Sequence, residues 1–390
     1  MAIGEPSKRL EAMPPYMFAE LEKRVAEKKE AGVDVISLGI GDPNHPTFPH
    51  VVEAMQAAVS ENENQKYPSN RGRAEFRDAM ARFYRERFGV ELDPGTQVIP
   101  AIGAKEAIYN LSFAFLDPGD IALASDPGYP VYTGGPILAG AEPIMVPLLP
   151  DRSFALDLES IDPEVARKAR LLFFNYPNNP TGAIAPDGMF ERVVEFAREY
   201  EILAIHDNAY SETTFDGYEA PSFLATPGAM EVGLEVFSLS KGYNMTGWRV
   251  GAVLGNGRAL ETYWRLKTNV DSGLFEAIQL AAVAALDGSG DLIAEMNETY
   301  ARRRDLVVDT LRAIGVEVDK PRGTIYVWAP VPEGHTSTSF AELVLEEAGV
   351  IVSPGSMYGD SGEGFFRISL TTPDARLSEA LDRMREHLAD

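Results

Sequence analysis

The chain has 390 residues, of which 45% are hydrophobic and 24% are charged, the balance of an ordinary globular protein. This length favours two or three domains, or one large core with an appendage. Asp and Glu number 59 and Lys and Arg number 35, so the formal net charge is −24. Such an acidic surface repels nucleic-acid phosphates and anionic lipid headgroups, which argues against a nucleic-acid or membrane partner.

Cysteine is absent from the sequence. Its absence excludes disulfides, thiolate zinc sites and a cysteine nucleophile, and it fits a reducing compartment. The five histidines lack metal-ligand spacing, and no apolar run approaches the roughly 20 residues of a membrane span. The N-terminal stretch carries charges and prolines, unlike a signal peptide. We therefore expect a cytoplasmic protein without a metal site.

The first 47 residues contain a predicted helix, Met17–Glu30, and a predicted strand, Asp34–Leu38. From residue 48 to residue 285, short apolar runs alternate with longer amphipathic stretches, which is the pattern of a parallel sheet with helical crossovers. The predicted strands of this part are Val98–Ala101, Ile121–Ala124, Pro143–Val146, Leu171–Phe174, Ile202–Ile205, Glu235–Ser238 and Val250–Leu254. The predicted helices between them include Lys105–Phe115, Val131–Ala139, Asp187–Tyr200 and Arg258–Thr268.

The alternation of strands and helices changes near residue 285. The elements predicted beyond it are a long charged helix at Asp291–Ile314, strands at Tyr326–Ala329, Val350–Val352 and Phe366–Leu370, and a last helix at Ala375–Leu388. This pattern indicates a smaller α+β domain. Because the two ends of a chain often meet in one domain, we predict a large domain of residues 48–285 and a small domain built from residues 1–47 and 286–390.

The most informative motif is Ser238-Leu239-Ser240-Lys241, which lies at the end of a predicted strand. Open α/β sheets place their ligand sites at the carboxyl ends of their strands. Apolar neighbours lower the pKa of a lysine amine, which makes Lys241 a candidate for Schiff-base chemistry. Ser238 and Arg249 are candidates to hold an anion beside it, with the guanidinium as a bidentate donor to phosphate. By itself, this motif is more typical of a lysine in an exposed loop.

Two other predicted strands are followed by polar residues. Asn178–Gly182 offers the amide of Asn179, although Asn, Pro and Gly are also ordinary turn residues. Asp207 begins the motif Asp207-Asn208-Ala209-Tyr210. A carboxylate at the end of a buried strand needs a cationic or hydrogen-bond-donating partner, such as a protonated pyridine nitrogen. The alternative interpretation of Asp207 is the N-cap of a helix.

A further motif joins a strand to a helix through glycine, in Ala101-Ile102-Gly103-Ala104-Lys105. The N–H groups at the start of a helix bind phosphate without any side-chain charge, so Gly103, Ala104 and Lys105 are candidates for a phosphate site. The same pattern also occurs where a strand and a helix are simply connected. Tyr129, in Asp126-Pro127-Gly128-Tyr129-Pro130, is a candidate to stack on a flat ring, although single aromatic residues more often belong to a core.

In their order and spacing, these motifs resemble the fold-type I pyridoxal-phosphate aminotransferases, and the resemblance covers essentially the whole chain. It implies that Lys241 binds pyridoxal 5′-phosphate covalently and that Asp207 pairs with the ring nitrogen. It also implies that Tyr210 and Asn179 reach the 3-oxygen of the ring and that Tyr129 stacks on the ring. The residues it implies around the phosphate are Gly103, Ala104, Lys105, Ser238, Ser240, Arg249 and, from a neighbouring subunit, Tyr67.

The same resemblance implies a substrate site. Arg367, in Phe366-Arg367-Ile368-Ser369, resembles the arginine that binds the substrate α-carboxylate. Gly41 would offer its backbone to that carboxylate, and Asn179 and Tyr129 would also contact substrate. The implied partners are an amino acid, a 2-oxo acid and a second copy of the chain, in a homodimer with active sites at its interface. The implied fold is α/β, with helices on both faces of a mostly parallel, seven-stranded sheet.

Four segments are similar to the narrower family of LL-diaminopimelate aminotransferases. They are Pro14–Glu20, Tyr176–Pro180, Tyr243–Arg249 and Asn269–Gln279, of which the last is the most specific. This similarity implies substrate contacts for Tyr16, Lys105 and Asn269, with Asn269 acting across the dimer interface. One departure is Ala104, since the family usually has serine there, so that a hydroxyl is lost but the backbone N–H is kept.

The sequence therefore predicts an enzyme that moves an amino group between an L-amino acid and 2-oxoglutarate or glutamate, with LL-2,6-diaminopimelate as the expected substrate. Alanine, aspartate, aromatic or N-succinyl-diaminopimelate specificity remains open, because the motifs of the large domain are common to all of these. A lyase or decarboxylase on the same scaffold is a further alternative. A non-catalytic regulatory domain is the most distant one, since such domains usually accompany a DNA-binding module and the acidic charge disfavours DNA.

Overall fold

The computed structural model describes residues 4–14, 17–30 and 32–388. Within these residues the strands are β1 (Ile36–Ser37), β2 (Val98–Ala101), β3 (Ile121–Asp126), β4 (Glu142–Pro147), β5 (Ala169–Asn175), β6 (Leu203–Asn208), β7 (Gly233–Ser238), β8 (Gly251–Gly255), β9 (Tyr326–Pro330), β10 (Val350–Ile351), β11 (Ser353–Pro354) and β12 (Phe365–Ser369). The α-helices are α1 (Lys8–Glu11), α2 (Met17–Glu30), α3 (Pro49–Val59), α4 (Ala74–Phe88), α5 (Ala104–Phe115), α6 (Val131–Ala139), α7 (Pro163–Ala166), α8 (Met189–Tyr200), α9 (Ala229–Val232), α10 (Gly257–Val270), α11 (Glu276–Gly288), α12 (Gly290–Ala313), α13 (Ser337–Ala348) and α14 (Asp374–Leu388).

A seven-stranded sheet forms the centre of the molecule, with the strand order β2-β8-β7-β6-β5-β3-β4. The pairs from β7 through β4 are parallel, whereas β8 is antiparallel to both β7 and β2. The predicted mostly parallel α/β sheet is therefore confirmed. Because β5, β6 and β7 run in the same direction, their last residues, Asn175, Asn208 and Ser238, lie at one edge of the sheet.

Helices cover both faces of this sheet and bury two apolar layers. Helices α5, α6 and α10 pack on one face, where the buried residues include Ile108, Ile205 and Val236. Helices α4 and α8 pack on the other face, together with α11, which lies against α3 and α4. The strands are apolar on both sides because each side is covered, which is why they read as short continuous apolar runs in the sequence.

The two ends of the chain share a smaller core. Ile36 and Leu38 pack in one buried cluster with Val350 and Ile368, near the antiparallel sheet β11-β12-β9 and the helices α12 and α14. Strand β1 is shorter than predicted, since its partner β10 offers only two residues to pair with. The predicted domain limits at residues 47 and 285 stay a prediction.

The predicted strand Val350–Val352 is confirmed for Val350–Ile351 and ends one residue early. The chain leaves β10, which pairs with β1, and enters β11, which pairs with β12, so that Val352 lies between two short strands. Among the described residues, the longer helices that were not predicted are α3, α4, α11 and α13, and the one-turn helices α1, α7 and α9 were not predicted either. In the described part of the chain, no single helix is long and apolar enough to cross a membrane.

Candidate active site

A cavity of about 290 Å³ lies at the sheet edge where β5, β6 and β7 end. It is lined by Ile40, Gly41, Asp42, Ala104, Lys105, Tyr129, Tyr132, Asn175, Asn179, Asp207, Ala209, Tyr210, Ser238, Ser240, Lys241, Thr246, Arg249, Tyr326 and Arg367. The large sheet supplies one wall, and the two chain ends supply Gly41, Tyr326 and Arg367 on the other. Most of the residues predicted from separate motifs are thus brought together in one place.

Lys241 enters the cavity from the turn that follows β7. Its Nζ donates a hydrogen bond to the carbonyl oxygen of Gly41, at 2.6 Å. Burial lowers the pKa of the Lys241 amine, although Tyr326 and Asp42 partly oppose the shift. A side chain at Gly41 would collide with the phenol of Tyr326, so that the backbone approaches the lysine this closely only with glycine there. A lysine with a lowered pKa is a better nucleophile toward a carbonyl group.

Asp207 lies near the end of β6 with its carboxylate facing the cavity. Oδ2 accepts a hydrogen bond from the Tyr132 hydroxyl at 2.8 Å, whereas Oδ1 is buried and has no hydrogen-bond partner among the described residues. Burial raises the pKa of Asp207 to about 6, against the opposing effects of Tyr132 and His206. Buried carboxylate oxygens are costly unless a donor satisfies them. A cationic N–H donor placed at Oδ1 would therefore stabilise the charged form.

The N-terminus of α5 and the guanidinium of Arg249 form an anion-binding corner. Gly103 is the N-cap of α5 and has a φ of 80°. Because glycine has no side chain, no N-cap side chain binds the N–H groups of the first turn of α5. An added Cβ at Gly103 would collide with the guanidinium of Arg249. Arg249 itself has a φ of 55°, and its Nη1 donates to the carbonyl of Thr246 at 2.6 Å. Backbone N–H groups and an arginine together suit a phosphate.

The remaining predicted residues around this corner are also present. Ala104 and Lys105 begin α5 and line the cavity, as do Ser238 and Ser240 from the end of β7. The N–H of Ser240 donates to the hydroxyl of Ser238 at 3.2 Å, which holds the turn after β7 in place. Ala104 contributes no hydroxyl, so that its backbone N–H is the donor it can offer.

Arg367, on β12, is only 1% exposed and lies opposite the sheet edge. Its Nη1 donates to Asn179 Oδ1 at 2.8 Å and its Nη2 donates to the carbonyl of Gly39 at 2.7 Å. The ring of Tyr326 lies 3.8 Å from the guanidinium carbon. These contacts hold a planar, permanently charged donor at the cavity wall. Such a group binds a carboxylate in the bidentate manner.

Asn179 and Tyr210 complete the wall between Arg367 and the sheet. The Asn179–Pro180 peptide bond is cis, and the N–H of Asn179 donates to Asn175 Oδ1 at 2.7 Å. The hydroxyl of Tyr210 donates to that of Tyr326 at 3.4 Å. Tyr129 also lines the cavity, and its ring packs edge-on against Tyr132 with the ring centroids 6.2 Å apart.

Of the predicted residues that the structure describes, Tyr67 and Asn269 do not line the cavity, and Gly103 caps the helix beside it. Tyr67 is 90% exposed, and Asn269 is an exposed residue near the end of α10 whose Nδ2 donates to the carbonyl of Arg265 at 2.8 Å. Neither lines the cavity of this chain. Tyr16 lies outside the described residues. Their proposed roles depend on a second copy of the chain or on a segment not described.

Several cavity residues were missed by sequence analysis. Tyr132, the second residue of α6, lies three residues after Tyr129, and its hydroxyl donates to the Asp207 carboxylate. Asn175 ends β5 next to the aspartate, since Asn175 and Asp207 are paired in register and the Asn175 amide donates to the Asp207 carbonyl at 2.6 Å. The signal for Asn175 was its position at a strand end, as for Asp207. Tyr326 begins the predicted strand Tyr326–Ala329, but nothing in its sequence neighbourhood indicates a site.

The sequence of residues 33–384 matches the family model described as aminotransferase class I and II. The chain belongs to this family. It is 55% identical to an LL-diaminopimelate aminotransferase of Desulforudis audaxviator over 97% of each chain, and 51% identical to one of Moorella thermoacetica over 98% of each. Among solved structures, substrate-bound BacF from Bacillus subtilis has a TM-score of 0.94 at 36% identity, covering 98% of this chain and 97% of that one.

Membership of the aminotransferase family implies pyridoxal 5′-phosphate as the cofactor of this chain. The cavity fits that group on two observations. The buried Oδ1 of Asp207 has a free acceptor position that suits a ring N–H, and the glycine cap of α5 leaves backbone N–H groups for a phosphate beside Arg249. The fold-type I architecture and the transaminase activity expected from the sequence are those of this family.

Proposed function

We propose that this aminotransferase exchanges an amino group between LL-2,6-diaminopimelate and 2-oxoglutarate, as part of lysine and diaminopimelate biosynthesis. The observation that carries the proposal is the meeting of Lys241, Asp207 and Arg367 in one cavity of about 290 Å³. It is supported by the names of relatives 55% and 51% identical to this chain over nearly its whole length. The substrate is inferred from the names of these relatives, and the type of reaction is inferred from the residues of the cavity.

The cofactor, when bound, supplies an electron sink for the bonds at the substrate Cα. Asp207 holds the ring nitrogen in its protonated form, because a carboxylate favours the charged form of a nearby base. Lys241 would hold the cofactor between reactions, and its amine, once released, would be the base that takes the proton from the substrate Cα. Tyr210 and Asn179, which both line the cavity, would hold the 3-oxygen of the ring.

Arg367 binds the α-carboxylate of the substrate, with the backbone of Gly41 beside it. The far end of LL-2,6-diaminopimelate carries a second carboxylate and ammonium group. These charges need partners, because a buried charge without one is costly. Lys105 is in the cavity and is a candidate for the distal carboxylate. We assign the remaining contacts to Tyr16 and Asn269.

A homodimer is part of the proposal. Tyr67 is 90% exposed and Val270, beside Asn269, is 58% exposed, so that both are accessible to a second copy of the chain. In that dimer, Tyr67 would reach the phosphate and Asn269 the substrate in the partner's cavity. We also propose a cytoplasmic location, since the chain contains no cysteine that would need an oxidising compartment.

The experiment that tests the proposal compares amino donors. The purified holoenzyme is assayed with LL-2,6-diaminopimelate, alanine, aspartate and aromatic amino acids, each with 2-oxoglutarate as acceptor. We expect the highest kcat/KM with diaminopimelate. Turnover of another donor well above diaminopimelate would reassign the substrate while leaving the aminotransferase activity in place. Release of a keto product without any amino acceptor would point to a lyase or decarboxylase instead.

Asn269→Ala tests the substrate contact across the interface. We expect a larger loss of kcat/KM with diaminopimelate than with glutamate, because only the longer substrate needs the distal partner. Thr268→Ala is the matched control, since Thr268 and Asn269 both donate to the carbonyl of Arg265. Equal losses with the two substrates in Asn269→Ala would remove this residue from substrate recognition.

Subunit mixing tests the shared site. Lys241→Ala and Tyr67→Ala homodimers are each expected to be nearly inactive. If Tyr67 acts in the partner's cavity, a mixed dimer has one intact site, and unfolding and refolding the two variants together restores about a quarter of the wild-type activity. No recovery, with mixed dimers demonstrated, would show that Tyr67 does not complete the partner's cavity, and an active Tyr67→Ala homodimer would place Tyr67 outside the site.

A further inference from the structure

The residues on either side of Asp207 lie on the opposite face of the sheet from the cavity. Side chains alternate along a strand, so His206 and Asn208 point away from the face that Asp207 occupies. Both are buried, with exposures of 0% and 1%. Across the parallel pair, His206 is in register with Glu235 of β7, which is also fully buried on that face.

Glu235 binds both neighbours of Asp207. Its Oε2 lies 2.9 Å from His206 Nδ1, and its Oε1 accepts from Asn208 Nδ2 at 2.8 Å. His206 Nε2 lies 2.9 Å from the carbonyl oxygen of Tyr176, so the ring is held at both nitrogens. One carboxylate therefore fixes the strand on both sides of the aspartate.

The rest of the Glu235 environment consists of neutral donors from outside β6. The Tyr84 hydroxyl on α4 donates to Oε1 at 2.6 Å, and the Ser222 hydroxyl and the Phe223 N–H donate to Oε2 at 3.0 and 2.9 Å. Burial raises the pKa of Glu235, but the hydrogen bonds from His206, Tyr84 and Asn208 outweigh it and hold the pKa below its ordinary value. An ionised carboxylate with this many donors is a rigid anchor.

Asp207 itself has little to hold it. Among the described residues, its side chain accepts one hydrogen bond, from Tyr132 to Oδ2. The direction in which Oδ1 points therefore depends on the backbone at Asp207, which the contacts of its two neighbours fix from the other face. A misplacement of about 1 Å in a group that orients a reactant costs about 100-fold in rate.

We propose that Glu235 is the positioning residue that orients Asp207 toward the cofactor ring nitrogen, by binding His206 and Asn208 from the opposite face of the sheet. This inference rests on the pairing of Asp207 with the ring nitrogen in the function proposed above. Glu235 touches neither cofactor nor substrate, since it lies on the other face. Its effect on the reaction passes through β6.

The test compares two variants that each remove one donor from the Glu235 carboxylate with a third that changes the carboxylate itself. Asn208→Ala removes a donor on β6, next to Asp207, and Tyr84→Phe removes a donor on α4. Glu235→Gln removes the charge itself, and Asn208→Ala serves if that variant does not fold. For each holoenzyme we measure the dissociation constant of pyridoxal 5′-phosphate, the pH midpoint of the visible absorption of the bound cofactor, and the melting temperature.

We expect Asn208→Ala and Glu235→Gln to weaken cofactor binding about tenfold and to shift the pH midpoint in the same direction as Asp207→Asn. Tyr84→Phe should lower the melting temperature while leaving the midpoint unchanged. Two results would overturn the inference: an unchanged midpoint and affinity in Asn208→Ala, or an equal midpoint shift in Tyr84→Phe. If Asp207→Asn itself leaves the midpoint unchanged, the proposed ring pairing is wrong, and this inference is refuted with it.

Discussion

Asp207→Asn should make the cofactor-free enzyme more stable near neutral pH while weakening its affinity for the cofactor. Burial raises the pKa of Asp207 from 3.8 to about 6. Because the folded-state pKa lies above the ordinary value, folding favours the protonated carboxyl group. Its contribution to the free energy of unfolding is complete below the ordinary pKa and is lost as the pH rises through the folded-state value.

The size of this loss follows from the shift of the pKa. One pKa unit corresponds to about 1.4 kcal/mol, so the shift of Asp207 corresponds to a loss on the order of 3 kcal/mol in the cofactor-free protein above pH 6. The amide of asparagine has no charge to bury, and its oxygen can still accept the hydrogen bond from Tyr132. In the pairing proposed above, the ring N–H would give the carboxylate a cationic partner, so bound cofactor would offset this loss in the wild type.

The assay is urea denaturation of the cofactor-free wild type and Asp207→Asn at about pH 5 and about pH 8, with cofactor affinity measured by titration. We expect the variant to be the more stable protein at the higher pH and the gap to shrink at the lower pH. Asp187→Asn, at an exposed position, is the control and should change neither quantity. A gap that is constant with pH, or a variant that binds the cofactor as tightly as wild type, would refute the reasoning.

Three further outcomes are expected. Lys241→Ala should fold and bind the cofactor without the visible absorption of the covalent form, and retained transamination would contradict the role of Lys241. Arg367→Lys should raise the KM for amino and oxo acids about tenfold or more, since lysine cannot replace both the Asn179 and Gly39 contacts; an unchanged KM would exclude Arg367 from carboxylate binding. Gly103→Ala should weaken cofactor affinity by displacing Arg249, whereas unchanged affinity in a titration would show that the phosphate lies elsewhere.

The sequence predicted best those features that follow from the chain direction in a parallel sheet. Asn179 and Lys241 follow β5 and β7, Asp207 lies near the end of β6, and these three strands run in parallel as neighbours. A residue placed after one such strand is therefore near residues placed after the others. The anion-binding corner was also predictable from the sequence, because a glycine between a strand and a helix marks the start of the helix. The φ of 80° at Gly103 is one that glycine adopts readily.

The features that sequence analysis missed depend on contacts between distant segments. Tyr326 reaches the cavity because β9 pairs with β12, which places it beside Arg367, and no local pattern predicts that pairing. In the sequence, Glu235 was one residue of a predicted apolar strand. Its carboxylate can be buried only because hydrogen-bond donors come from α4, from β6 and from the segment before β7. The roles of Tyr326 and Glu235 are evident only from the residues they contact, and these residues are far apart in the sequence.

The charge of the cavity differs from the charge of the whole chain, and composition alone does not predict this difference. The net charge of −24 is a property of the whole surface, where most acidic side chains lie in water or in exposed ion pairs. Among the described residues the cavity has the opposite balance, since Lys105, Lys241, Arg249 and Arg367 line it and its carboxylates are those of Asp42 and Asp207. Salt screens the electrostatic effect of exposed charges beyond about 10 Å. Charged groups inside a cavity interact with a bound anion at contact distance and in a lower dielectric. An acidic composition, which by itself argues against nucleic-acid binding, is therefore compatible with a cavity whose charges suit phosphate and carboxylates.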